Sequence, residues 1–362
     1  MSDVAELAAE LVAIDSVNPG LVDGAAGERE IAAFVAGWCG AAGLDVDLVE
    51  PADGRPSVVA VARGSGGGRS LMLNAHLDTV SVDAMDDPFT PRLEGGRLYG
   101  RGSYDMKGAL AAAMLATRDA AAAGLAGDVV LAAVADEELD SIGTAAVLDR
   151  CITDAAIVCE PSELRVATAH RGFVAFEIET AGVAAHGSMP ELGEDAIGKI
   201  APILGRIAER DAALAEARHP LLRCGSVHAS LIAGGQDLFS YAERCVLGAE
   251  RRTLPGESVD DVERELRELA GDAELRVLVA RDAFEVDPGH ELVRILLAAA
   301  GESNAVGLPF WTDAGLTAAA GIPTVLYGPA GTGAHAAVEW VDVASLDRCR
   351  EVYLQAALHW SR

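Results

Sequence analysis

Residues whose types suit metal chemistry recur along the chain: His76, Asp78, Asp105, Glu137, Glu138, Glu160 and His335. Taken singly, each has an ordinary explanation. His76-x-Asp78 suits a metal-bound imidazole whose geometry a nearby carboxylate fixes, but such a pair also serves plain structural ends. Glu137-Glu138 is an everyday pairing in so acidic a chain. Asp105 could cap the helix that follows it. Glu160 precedes Pro161 and could sit in a turn, and His335, in Gly331-Thr332-Gly333-Ala334-His335, could be structural or exposed. Taken together they carry more. Two metal ions sharing a site need oxygen and nitrogen ligands on each, plus one carboxylate that can bridge them. A hydrolytic site also needs a carboxylate that binds neither ion and takes a proton from the attacking water. This set supplies that inventory with one acid to spare.

The elements that must position these residues are legible as apolar runs. Ser70–Ala75 ends at His76 and Asp78, and Asp128–Ala135 ends at Asp136-Glu137-Glu138. Ala155–Cys159 ends at Glu160, and Pro323–Tyr327 leads into the glycine-rich loop with His335. Helical stretches lie between them, notably Met106–Ala123 and Ser141–Arg150. Buried strands alternating with helices predict an α/β sheet, and such sheets carry their sites beyond the carboxyl ends of the strands. Upstream, the first 45 residues read as helical, with Gly43 at a helix end. Two strands follow, Asp45–Glu50 and Ser57–Arg63. Gly64-Ser65-Gly66-Gly67-Gly68 lies between strand-like runs and opens no helix, which predicts a hairpin turn rather than a phosphate cradle.

The middle of the chain has another rhythm. Strand-like Gly172–Thr180 is followed by a helix over Gly193–Leu214 and strands over Gly225–Ile232 and Glu243–Arg252. A helix with a capping-type start over Ser258–Ala270 comes next, and Glu274–Asp282 closes the unit. The order β-α-β-β-α-β is that of a ferredoxin-like α+β module. The expected domains are therefore residues 1–170 with 287–362, and an insertion over 171–286.

Composition bounds the rest. A chain of 362 residues is about right for two domains, and 51% hydrophobic residues suffice for a large core. The formal charge of −28 would repel nucleic acid and anionic membrane surfaces, so neither is expected as a partner. The start of the chain, with Asp3, Glu6 and Glu10, lacks the basic and apolar regions of a secretory signal. No apolar run reaches the roughly 18–20 residues of a membrane span. Cys39, Cys151, Cys159, Cys224, Cys245 and Cys349 show no paired spacing, as in reduced core cysteines of a cytoplasmic protein.

The motifs as a set resemble the acetylornithine deacetylase, succinyl-diaminopimelate desuccinylase, aminoacylase and glutamate carboxypeptidase family of dinuclear zinc hydrolases. The segments that carry the resemblance are Leu73-Asn74-Ala75-His76-Leu77-Asp78-Thr79-Val80, Gly100-Arg101-Gly102 through Asp105-Met106-Lys107-Gly108, Asp136-Glu137-Glu138, Cys159-Glu160-Pro161 and Gly328-Pro329 through His335. The resemblance implies a zinc-peptidase-like α/β catalytic domain with a central sheet flanked by helices, and a lid and dimerisation domain in the insertion. It implies two zinc ions per chain, with cobalt or manganese as substitutes. Asp105 would bridge them, His76 and Glu160 would complete one shell, and Glu138 and His335 the other. Glu137 would be the general base, and Asp78 would orient His76.

In the insertion, Ala185-His186-Gly187-Ser188 resembles the family's lid histidine, which steadies the developing oxyanion. Arg252 matches a lid arginine that holds a substrate carboxylate through its planar fork of donors. Arg251 beside it would face the other side of the strand in an exposed salt bridge. The segment 234–245 departs from the family pattern, with Phe239 and Ala242 where many relatives have Asn and Pro. The resemblance further implies a homodimer through the lid, with His186 serving the partner's site. The reaction expected is removal of an acyl group from an N-acyl amino acid or related amine. A dipeptidase or carboxypeptidase with the same site is the alternative. A non-catalytic metal-binding scaffold would show a lost ligand or base, and none is lost.

Overall fold

The computed structural model describes residues 2–83 and 85–362. The chain divides into two compact units, one of Met1–Thr168, Val286–Val306 and Thr312–Arg362, the other of Ala169–Glu285 and Gly307–Trp311.

The first unit is built on a mixed sheet. Its strands lie in the order Asp45–Val49, Ser57–Ala62, Val129–Val134, Leu71–His76, Ala155–Val158, Thr324–Leu326, Ala167–His170. The four from Val129–Val134 to Thr324–Leu326 run parallel, with Leu73 opposite both Leu131 and Ile157, and Ile157 opposite Val325. Strands buried on both faces read as unbroken apolar runs, which is why VVLAAV and AAIV show no alternation. Helix Gly108–Ala123 is buried on nearly every side, as its alanine-rich sequence permits. It packs against helix Val343–Trp360 and against strand Leu71–His76. Met72, Val130, Ala132 and Val134 form a core with Val147 of helix Ile142–Leu148.

Two expectations change here. The first 45 residues hold two helices, Asp3–Val12 and Arg29–Ala41, separated by a non-helical stretch. Gly64–Gly68 is not a hairpin turn, because strand Val129–Val134 lies between the strands on either side of it. The glycines serve close approach instead. A Cβ on Gly64 would stand 2.3 Å from the Ala126 oxygen, and one on Gly68 2.3 Å from the Gly127 nitrogen.

The second unit has the expected order: strand Gly172–Ala181, helix Ala196–Leu214, strands Ser226–Gly234 and Arg244–Thr253, helix Val259–Ala270, strand Glu274–Arg281. Its sheet is antiparallel throughout, in the order Ser226–Gly234, Arg244–Thr253, Gly172–Ala181, Glu274–Arg281, the ferredoxin-like arrangement. Strict alternation puts Val174, Phe176 and Ile178 into a core with Ile200, Ile203, Ile207, Val262 and Leu266. Ser258 caps the second helix, its hydroxyl accepting from the Asp261 N–H.

Candidate metal centre

The parallel strands bring their carboxyl ends to one edge of the sheet, and the chemistry collects there. Leu71–His76 delivers His76, Val129–Val134 leads to Glu137 and Glu138, and Ala155–Val158 leads to Glu160. Asp105 sits in a wide turn, closed by a hydrogen bond from the Lys107 N–H to the Gly102 carbonyl, just ahead of helix Gly108–Ala123. The Asp105–Met106 peptide bond is cis. His335 lies between the short strands Gly331–Thr332 and Trp340–Asp342, with a left-handed backbone at φ 60°.

These side chains converge. Asp105 Oδ1 is 3.1 Å from His76 Nε2, and its Oδ2 is 3.4 Å from His335 Nε2. His76 Nε2 is also 3.7 Å from Glu160 Oε1, and His335 Nε2 is 3.0 Å from Glu138 Oε2. Ligand atoms of His76, Glu137 and Glu160 lie within 4.8 Å of one another, as do those of His76, Asp105 and Glu138.

Burial and mutual charge set the electrostatics of this cluster. Burial, then the charge of Glu160, pushes the Glu137 carboxyl well above its ordinary value. Burial and the neighbouring Asp105 likewise raise Glu138 and Glu160. Burial works against Asp105 too, but hydrogen bonds from His335 and His76 hold it well below the usual carboxylate range. His335 is raised to about 10 by its hydrogen bonds to Asp105 and Glu138. Two imidazoles cannot neutralise this many buried carboxylates. The donor set, imidazole and carboxylate in a concave acidic cluster, fits divalent cations of the zinc type.

The surroundings hold several residues that local sequence patterns did not flag. His76 Nδ1 is 2.9 Å from the backbone oxygen of Asp78 but 3.7 Å from its carboxylate. Because a carbonyl only accepts, Nδ1 carries the hydrogen and Nε2 faces the cluster. Orientation of His76 therefore comes from the main chain of Asp78. The Asp78 carboxylate instead accepts from the backbone N–H groups of Glu137 and Glu138 and from Asn18 Nδ2, fixing the loop that carries both glutamates. Asn18 also donates to Asp136, which pairs with Arg55, and Arg55 pairs in turn with buried Glu28. On another side, Asp313 accepts from Thr144 at 2.5 Å, and Thr144 accepts from Asn74 within strand Leu71–His76. Burial raises Asp313 to about 6. Apart from His76–Asp78 and Arg55–Glu28, the partners in these contacts are 59 or more residues apart, so no short motif marks them.

His186 and Arg252 belong to the second unit and make their contacts there. His186 is exposed, with Nδ1 2.8 Å from Ser188 Oγ. Arg252 pairs with Glu250 at 2.6 Å and stands over the Phe173 ring at 5.2 Å. Arg251 departs from expectation. It is fully buried, not exposed, and paired with Glu257 and Glu265, because inward-facing positions of that strand meet helix Val259–Ala270.

The comparisons with known proteins make the chain a hydrolase of amide bonds. Over residues 72–359 the chain matches Peptidase family M20/M25/M40, and it belongs to that family. It is 30% identical to an acetylornithine deacetylase of Myxococcus xanthus, covering 97% of this chain and 96% of that one. Its fold matches the aminopeptidase PepT of Bacillus cereus, with a TM-score of 0.81 and 20% identity over 99% of this chain and 98% of the other. It also matches the Bacillus subtilis YXEP protein, described as a dinuclear metal-binding peptidase of the M20 family, with a TM-score of 0.75 and 15% identity over 99% and 97%. Among the described residues no helix is long and apolar enough to cross a membrane.

Proposed function

We propose that this chain is a deacylase that hydrolyses an N-acyl amino acid or related N-acyl amine with two zinc-type ions, cobalt or manganese being possible substitutes. One observation carries the reading. The two oxygens of Asp105 face one imidazole each, and each imidazole has a second carboxylate of its own, Glu160 beside His76 and Glu138 beside His335. Asp105 would then be the carboxylate shared by both ions, and Glu137 the acid left to act as base. Ions held by this set would lower the pKa of an attacking water and polarise the scissile carbonyl. Glu137 takes the proton of that water and returns it to the leaving nitrogen. Asp78 keeps Glu137 in place through the backbone of its loop, and orients His76 through its own carbonyl.

In the second unit, which we assign as the lid, His186 is proposed to steady the oxyanion and Arg252 to hold a substrate carboxylate. Strand Ser226–Gly234 is an edge strand that exposes Leu231 and Ile232. Symmetric pairing of two such edges would cover them, so we propose a homodimer through this unit in which His186 serves the partner's site. All six cysteines are free, consistent with a cytoplasmic protein.

Deacylation is favoured over peptide cleavage by the likeness to an acetylornithine deacetylase at 30% identity. The peptidases among the structural neighbours keep dipeptides as the second reading. Turnover of a panel of N-acyl amino acids and dipeptides, with metal content measured on the same sample, separates them. Full activity in metal-free protein that ignores chelators would sink both.

A further inference from the structure

We propose that the buried ion pair Arg101–Glu339 is a positioning element that sets Asp105 against His335, so that its loss releases one metal position before it releases the fold. The proposal rests on the metallohydrolase reading above. Glu339 lies four residues beyond His335, and its side chain is fully buried. Oε1 accepts from the backbone N–H groups of Tyr104 at 2.9 Å and Asp105 at 3.1 Å. Oε2 accepts from the Gly102 N–H at 2.9 Å and from Arg101 Nη1 at 2.7 Å. Four donors therefore converge on one carboxylate, and one of them is the main chain of the proposed bridging residue.

Arg101 spreads the clamp to other loops. Its Nη2 donates to the Ala336 carbonyl at 3.1 Å, one residue after His335, and to the Ser81 carbonyl at 2.9 Å, in the loop that follows His76 and Asp78. The loops that carry His76, Asp105 and His335 thus share one buried pair. His335 depends on it most. Its side chain is 55% exposed, so little packing holds the imidazole. His76, by contrast, is 1% exposed at the end of a central strand. A buried carboxylate is costly unless its lone pairs are met by donors. Here the donors that meet them belong to the loops that need holding.

Glu339→Gln tests this with little change of size. The amide nitrogen would set a donor against the Gly102 N–H and the Arg101 guanidinium, where an acceptor stood before. Metal-stripped protein is titrated with Co²⁺, followed by visible absorbance and ion content, and its unfolding is recorded without metal. Unmutated protein should take up two ions. In Glu339→Gln, one of the two should bind about 10–100-fold more weakly, the range for loss of a partner behind a metal ligand. The other should be nearly unchanged, and activity should fall in kcat more than in KM. Arg101→Lys, which keeps the charge but cannot reach all the same acceptors, should fall between the two. If Glu339→Gln does not fold, Arg101→Lys decides alone. A folded variant that binds both ions like unmutated protein, or weakens both equally, overturns the proposal. Failure of the unmutated chain to bind Co²⁺ would instead overturn the metallohydrolase reading beneath it.

Discussion

Buried charge is arranged differently in the two units. In the second, Arg251 lies at the centre of a local balance, paired with Glu257 and Glu265, while Arg210 pairs with the same Glu265. Each charge has an opposite neighbour within the same small fold. In the first, Asp78, Asp105, Glu137, Glu138, Glu160 and Asp313 gather around His76 and His335, and burial raises most of the carboxyls whose shifts are resolved. A self-neutralised cluster stabilises a fold and asks for nothing more. A cluster with unbalanced negative charge is poised to take cations, and its geometry decides which chemistry those cations serve.

The strongest way to sharpen the contrast is Glu137→Gln. It removes one charge from the crowded cluster, so folding and metal content should hold while kcat falls about 10²–10⁴-fold. Metal loss equal to that of Glu138→Gln would show that Glu137 is a ligand instead. In the second unit, Arg251→Ala should cost about 1.5–3 kcal/mol of stability, because Glu257 and Glu265 each lose a buried charged partner. Metal content, measured on the folded protein, should not change.

Chelation probes the first unit alone. Removing the ions should lower stability by about 2.7 kcal/mol for each site that had been held at about 100-fold over its Kd, seen as a drop in Tm that added metal reverses. A chelator without effect on Tm would break the comparison. Asn18→Ala should cost about 1–3 kcal/mol in denaturant unfolding, since an oxygen of buried Asp78 and one of buried Asp136 each lose one of their two donors.

The smallest expected effect is a difference in sign with pH. Glu265 is lowered overall, because hydrogen bonding from Arg210 and the charge of Arg251 outweigh burial. Its folded-state value lies below the unfolded one, so its contribution is present above about pH 4.5. That contribution is lost as pH falls through the folded value. Glu28 is raised, chiefly by burial, in spite of its bond to Arg55. The folded state then holds its proton longer, and stability is lost as pH rises through the folded value. Stability differences of Glu265→Gln and Glu28→Gln from unmutated protein should therefore trend in opposite directions with pH.

Much of this molecule was legible in order along the chain. Apolar runs ending in His76, Glu137-Glu138 and Glu160 marked both the strands and the edge where the site forms, because a strand's residue types and its end are local properties. The β-α-β-β-α-β rhythm likewise announced the second unit, since alternation in Gly172–Ala181 and the Ser258 cap are written in adjacent residues. Pairing was not local. Gly64–Gly68 looked like a hairpin turn because nothing near it reveals that Val129–Val134 inserts between its neighbours. Arg251 looked exposed because its burial depends on a helix that follows it and folds back across the sheet.

The sequence by itself determined the inventory: two imidazoles, a surplus of carboxylates, and strands that end where they stand. Only the tertiary structure decided that Asp105 faces both imidazoles, that the carbonyl of Asp78 orients His76, and that Glu339 gathers the Asp105 loop. Apart from the contacts of His76 with Asp78 and Asp105, those choices rest on contacts between residues 230 to 238 positions apart. Such contacts exist only once the sheet has aligned the loops, and no local preference of the chain encodes them.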